Sequence, residues 1–401
     1  MPMQPSPRAE TSKSLFPSLR FCIVAVPFRH YGAVSRCPSI PNYRNVSSSR
    51  FPDPADSLPD PVWISEFVHT ETIPAVRSRR REFEKMAKLT EEHGDPKRSA
   101  MEMRAALALR IAARAPSPGE HPTAITGLVL FRRTAPSACY RATYEPSLTV
   151  FVQGRKLINL GGTEYLCDGS SFLLSSIDVP VRSQIVEASE EVPLLSMLLR
   201  LDMPTVREVL SREDLPEREG SSQRRGLAVG ETTAGLLGAC ARLIELLETP
   251  EDIPFLSHLI QREIVYRILR TPQGERLRAI ATRGDLSHRT ARAIAWLRAN
   301  YTKPLHMEEL AAAARMGVST LHHQFRALTA MSPLQYQKQL RLQAARQRML
   351  MDGIDASSAA YEVGYESVSQ FNREYSRFFG QPPMRDIKAL RDVKVAAINA
   401  A

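Results

Sequence analysis

The sequence predicts an α+β protein, with an antiparallel β-barrel and a helical pair first and an all-α double helix-turn-helix domain last. Three observations predict it. Short β-branched and aromatic runs alternate with Gly and Asp turns from Ala124 to about Leu201. Two amphipathic stretches follow. The C-terminal block then repeats one helical pattern about 50 residues apart, each copy two short apolar-striped segments around a tight turn. At 401 residues the chain has room for two or three domains.

Residues 1–75 hold 12 of the 29 prolines and almost no helical periodicity. Up to Asp53 there are seven basic residues and one acid, Glu10, a composition that superficially resembles a transit peptide. The expectation is an unstructured extension over 1–85, or a start codon set too far upstream, with Met86 or Met101 as the natural beginning. Glu102 to Ala113 reads as a helix ending before Pro116 and Pro118. Leu148 to Val152, Lys156 to Leu160, Thr163 to Cys167, Ser171 to Ser175, Val181 to Val186 and Leu194 to Leu201 read as strands. Gln153-Gly154, Gly161-Gly162 and Asp168-Gly169 read as their turns. Such a series suggests a barrel or sandwich able to enclose a small ligand.

Glu231 to Leu247 carries a stripe of Leu236, Cys240, Leu243, Ile244 and Leu247. Phe255 to Leu269 carries Leu256, Leu259, Ile260, Ile264 and Ile268. This pair could pack on the barrel or form a homodimer seam. Leu277 to Asp285 reads as a polar connection. The expected domains are thus 86–285 for the barrel with its helices and 286–395 for the helical block.

The charge is uneven. Of the net +10, residues 1–85 contribute 12 basic and 8 acidic side chains, 86–285 contribute 25 and 26, and 286–401 contribute 16 and 9. A near-neutral module joined to a basic one suits a partner that is a polyanion. No apolar run approaches the roughly 20 residues of a membrane span, so no membrane partner is expected. The five cysteines are odd in number, widely spaced and without C-x-x-C. That argues against a disulfide framework and fits a reducing, cytoplasmic compartment.

In the C-terminal repeat Ala314 and Met316 recur as Val363 and Tyr365, 49 residues on, and Leu321 and Phe325 as Phe371 and Tyr375, 50 residues on. One residue is therefore inserted in the second turn. Each copy has the layout of a helix-turn-helix, whose second helix enters the major groove. Asp355 is placed to N-cap the second copy. Between the copies Pro333 to Met351 reads as one long helix, with Leu334, Leu342, Ala345 and Met349 inside and Lys338, Arg341, Arg346 and Arg348 mostly outside; Lys338, Arg341 and Arg346 could sit on phosphates or in water.

Ser332-Pro333-Leu334-Gln335-Tyr336, Arg341-Leu342-Gln343-Ala344-Ala345-Arg346, Val363-Gly364-Tyr365-Glu366-Ser367, Phe371-Asn372-Arg373, and Phe379-Gly380 with Pro382-Pro383 resemble the double helix-turn-helix of AraC-type (AraC/XylS) transcriptional regulators. The resemblance runs from about Ile294 to Arg391. Leu148 to Pro180 and Arg262 to Arg267 also resemble the cupin-like N-terminal sensor domain of one AraC subgroup. The family implies two recognition helices in successive major grooves of double-stranded DNA, an effector in the barrel, and control of RNA polymerase. By position, the first recognition helix would present Ser319, His322 and His323, and the second Val368, Ser369, Asn372 and Arg373. Arg373 can bond guanine in bidentate fashion and Asn372 adenine. His323 stands where the family often has Arg, Gln324 where it is usually apolar, and Arg315 where the first turn usually has Gly. If that turn needs positive φ, Arg315 costs on the order of 1 kcal/mol.

A cupin can also be a metal enzyme, but the strand region 124–201 holds no His, and no G-x-S-x-G or P-loop occurs. Neither catalysis nor a cofactor or metal is expected. Strand alternation offers Phe151, Leu160, Tyr165 and Phe172 as effector-pocket residues, with core packing as their alternative role. Cys139 or Cys167 could meet an electrophile, though ordinary thiols fit as well. The reading is an effector-sensing transcriptional regulator; the alternatives are a catalytic cupin with a DNA-binding tail and an architectural DNA binder.

Overall fold

The computed structural model describes residues 96–212 and 225–399; the proline-rich extension and Met86 lie outside the described residues. Helix α1 (Pro96–Arg114) leads into strands β1 (Gly119–Pro122), β2 (Leu128–Arg133), β3 (Tyr140–Tyr144), β4 (Ser147–Gln153), β5 (Arg155–Leu160), β6 (Thr163–Cys167), β7 (Ser171–Ser175), β8 (Val179–Glu187) and β9 (Leu194–Arg200). Then come α2 (Met203–Arg212) and β10 (Leu227–Glu231). The pairings are antiparallel, as expected.

The strands do not close into a barrel. They form a six-stranded sheet, β1-β2-β9-β4-β7-β10, and a four-stranded sheet, β3-β8-β5-β6. One of the crossings between the sheets occurs at Gly154, between β4 and β5. Its φ is +78°, and a side-chain carbon there would lie 2.7 Å from Leu194 and 2.8 Å from the Glu187 carbonyl. Only glycine allows this tight corner. The Gly161-Gly162 hairpin forms as its sequence dictates, with both φ values positive and Leu160 paired with Thr163. β7 is buried along its whole length, so it shows no alternation.

Helices α3 (Ala234–Glu245) and α4 (Ile253–Leu269) make the expected pair. Leu236, Cys240, Leu243 and Ile244 are buried, and the Thr233 side chain caps α3. The helix starts later than its stripe suggests, because residues 227–231 pair with β7 as β10. The expected polar connection from Leu277 is a correction too: α5 (Gly274–Ala281) is a helix with Leu277, Ile280 and Ala281 buried. Four apolar positions in eight residues are too few to show a period, and tertiary packing decides the conformation.

The helical block comprises α6 (Leu286–Asn300), α7 (Met307–Ala314), α8 (Val318–Thr329), α9 (Pro333–Met351), α10 (Ala356–Glu362), α11 (Val368–Phe379) and α12 (Pro383–Asn399). α9 has the predicted limits. Pro333 stands in its first turn, and Ser332 and Gln335 form a reciprocal capping box. Leu342, Ala345 and Met349 are buried, but Leu334 is 52% exposed; Tyr336 and Leu340 occupy the inner face of that first half instead. No described helix is long and apolar enough to cross a membrane.

Among the described residues, three apolar clusters form the cores. The first joins the six-stranded sheet to α1, α3 and α4. The second runs without a break from Ile158, Leu160 and Val181 of the four-stranded sheet, through Ile280 and Ile294, to Leu310, Leu321 and Phe325 of the first helix-turn-helix. The third belongs to the second helix-turn-helix alone, with α9 and α12. The first helix-turn-helix is thus fused to the sheets by a shared core, whereas the second has a core of its own.

Candidate nucleic-acid interface and sheet cavity

Each helix-turn-helix is built by a buried pair one turn apart. Leu321 and Phe325 anchor α8, and Phe371 and Tyr375 anchor α11. Both pairs lie on the inner face at i and i+4, so the intervening residues point outward. Ser319, His322 and His323 are exposed on α8, and Ser369, Asn372 and Arg373 are exposed on α11. Val368 differs from this set: it is half-buried and packs against the third cluster. Gln324 is half-buried. Thr320, exposed beside Ser319, belongs to the same face although the family positions do not single it out; its place next to Ser319 in the first turn is the available signal.

The two turns are alike in backbone and unlike in sequence. Arg315 has φ +54° and ψ +48°, and Gly364 has φ +89°. The turn therefore demands the left-handed region, and Arg315 occupies it at the cost expected for a side chain there. The Arg315 carbonyl accepts a bond from Arg289 Nη1 at 3.3 Å. The second copy starts with two caps, Asp355 accepting from the Ser357 and Ser358 amides and Ser367 from the Gln370 amide.

The basic side chains of α9 all have partners within the protein. Arg341 donates to the carbonyls of Tyr301, Thr302, Lys303 and Gly364, tying the first unit to the second turn. Lys338 Nζ pairs with Glu374 Oε1 at 2.8 Å, and the Tyr365 hydroxyl donates to the other Glu374 oxygen. Burial works against the Glu374 charge, but bonds from Lys338, Gln370 and Tyr365 outweigh it and hold the carboxyl below its ordinary value. Arg346 makes a two-point pair with Asp386 at 2.7 and 2.8 Å, and Tyr375 adds a bond to the same carboxylate. Arg348 pairs with Glu362. Lys338, Arg341 and Arg346, expected on phosphates or in water, instead join elements of the block to one another, while Arg348 lies outside as expected.

A cavity of about 50 Å³ lies between the two sheets. Phe131, Phe151, Leu194 and Leu198 supply apolar wall, Tyr140 and Tyr144 phenols, and Lys156 an ammonium group. Of the four pocket residues expected, only Phe151 lines it. Leu160 and Tyr165 pack in the second cluster and Phe172 in the first. Alternation cannot tell a wall residue from a core residue, since both face inward. Cys167 and Cys240 are buried, and burial pushes both thiols up to about 12, away from the reactive thiolate; Cys139 is exposed.

Paired helix-turn-helix motifs with outward polar faces, joined to a two-sheet domain around a small cavity, have the layout of a DNA-binding unit with an attached sensor-type domain. Residues 124–276 match the family described as AraC-type transcriptional regulator N-terminus, and residues 310–388 match the helix-turn-helix domain family. Over these two segments the chain is similar to AraC-type transcriptional regulators. It is 30% identical over 105 residues to the HTH-type transcriptional activator RhaS of Yersinia pestis strain Pestoides F, covering 26% of this chain and 38% of that protein. The chain thus spans less than two-fifths of the curated relatives it matches. Among solved structures, an apo ToxT variant from Vibrio cholerae strain SCE256 aligns at 12% identity and TM-score 0.46, over 67% of this chain and 100% of that one. A probable AraC family regulator from Rhodopseudomonas palustris CGA009 aligns at 25% identity and TM-score 0.24, over 26% and 98%.

Proposed function

We propose that this protein is a sequence-specific transcription regulator that binds double-stranded DNA through α8 and α11 and takes a small effector between its two sheets. One observation carries the reading. Each recognition helix buries an i, i+4 pair and turns short hydrogen-bonding side chains outward, on two units tied together by Arg341. In this arrangement Arg373 and Asn372 read base edges from the second helix, while Ser319, His322 and His323 act from the first, with Ser369 on bases or phosphate. Val368, half-buried, offers an apolar contact of the kind a thymine methyl accepts. Domains over 86–285 and 286–395 divide the work, with their boundary near α5 and α6. Effector binding biases the second helix-turn-helix, and through it the contact with RNA polymerase; this needs unequal affinity of the effector for two arrangements. The protein works in the cytoplasm and is not a catalyst, and the α3–α4 pair is the proposed homodimer seam.

Fluorescence anisotropy of the full chain on candidate promoter duplexes tests the reading. Arg373→Ala should cost about 1–3 kcal/mol on the preferred duplex and relax preference at one base pair. Equal weakening on every duplex would mark an architectural binder instead.

A further inference from the structure

The cavity between the sheets has an electrostatic imbalance. Two of its charged wall residues are neutralised in place: Arg133 pairs with Glu120 at 3.4 Å, and Glu145 pairs with Arg200 at 3.3 Å and Arg298 at 3.2 Å. The third, Lys156, has no carboxylate partner among the described residues. Its neighbours are Tyr140 and Tyr144, whose rings lie 5.8 and 5.6 Å from Nζ and whose hydroxyls accept hydrogen bonds from it. Neutral phenols do not balance an ammonium held in a largely apolar wall. One ammonium without a carboxylate ion pair, hydroxyl groups and a short apolar wall fit a monoanion with a small apolar tail. A phosphate dianion would need more cations than remain unpaired. The volume, about a third of the ~150 Å³ that accommodates benzene, limits the tail to a few carbons.

The same strand that lines this cavity touches the second helix-turn-helix from its other face. Along β3, Tyr140 and Tyr144 point inward to the cavity. The alternate residues point outward. Arg141 Nε donates to the Phe378 carbonyl of α11 at 2.6 Å, and its guanidinium lies 4.0 Å from the centre of the Phe378 ring. Thr143 Oγ1 donates to Gln343 of α9. The first helix-turn-helix shares its core with the sheets and is held fast, so β3 acts on the unit that has its own core.

We propose that the inter-sheet cavity is a binding site for a short-chain carboxylate centred on Lys156, and that β3 transmits its occupancy to α11 through Arg141 and Thr143. This rests on the regulator reading and adds to it the ligand class and the relay. The test titrates the full chain with acetate, propionate and butyrate, and with the matching amides, at constant ionic strength, following thermal stability and DNA anisotropy separately. Carboxylates should stabilise saturably and amides should not. Lys156→Met should raise the ligand-free melting temperature and weaken carboxylate binding at least about tenfold. Ser196→Val, which fills the cavity and keeps the charge, should also block binding. Arg141→Ala should bind carboxylate normally while its DNA affinity no longer responds. Equal effects of amides and acids, absence of saturable stabilisation, or undiminished binding by both cavity variants would overturn the site. An unchanged DNA response in Arg141→Ala would overturn the relay. Absence of DNA binding by the wild type would overturn the regulator reading and leave the stability titration to decide the site by itself.

Discussion

Arg315 is the residue where local chemistry and fold disagree most openly. Its left-handed backbone is imposed by the turn, since the matching position in the second repeat is Gly364 with φ of the same sign. Arg315→Gly should therefore stabilise the protein by about 1 kcal/mol, read as a higher denaturant midpoint; an unchanged or lower midpoint would show that the bond between Arg289 and the Arg315 carbonyl, or glycine's unfolded-state entropy, decides the balance. Asp386 is the opposite case. It is 5% exposed and receives bonds from Arg346 and Tyr375. Asp386→Ala strands a guanidinium and should cost about 3–5 kcal/mol by equilibrium unfolding. A loss under 1 kcal/mol would mean that the pair is solvated in the native state.

At the scale of elements, the helices whose ends are marked by side chains are legible in the amino-acid sequence. Ser332-Pro333 opens α9, Asp355 caps α10, and the repeat register locates Leu321, Phe325, Phe371 and Tyr375 as anchors. Asp355→Ala should destabilise the protein, read as a lower denaturant midpoint. What is not legible has physical causes. α5 carries too few apolar positions to show a period. β10 is hidden because Leu227 to Glu231 becomes a strand only by pairing with β7. Leu334 resembles core only if the period is extended into the exposed first turn of α9. The outward faces of α8 and α11 follow from their anchors, whereas the cavity wall does not follow from alternation. Lys156 gives no signal of its own in a strand whose pattern is carried by apolar residues. The partners of Lys338, Arg341 and Arg346 lie 36 to 40 residues away for most of their bonds. Only three-dimensional proximity assigns such cations to staples rather than to phosphates.

At the scale of the molecule, the basic surplus that points to a polyanion partner is partly internal. Four cations of α9 serve the structure, so salt dependence of DNA binding should reflect fewer phosphate contacts than the surplus of 16 basic over 9 acidic side chains in residues 286–401 implies; each neutralised phosphate contributes a slope of about 0.9 in log–log units. The sheets also hold the ends of both recognition helices. The Gly226 amide donates to the Leu328 carbonyl at 2.9 Å, Arg225 donates to the Arg326 carbonyl at 3.0 Å, and the Gly161 hairpin touches Ala330. On the other side Arg141 holds Phe378. This grip sets how α8 is presented relative to α11, and that relation is what a double-site reader of DNA must control.

Reading of DNA sequence by two helices at once is the core of the proposed function. Selection of random duplexes on the full chain, followed by sequencing, measures it most directly, with Arg373→Ala and His323→Ala run in parallel. Reading by both helices predicts a motif of two segments separated by about one helical turn, roughly 10 base pairs. Arg373→Ala should erase preference in one segment only, and His323→Ala should weaken preference in the other. A motif confined to a single segment, or duplex enrichment that both variants leave unchanged, would contradict it.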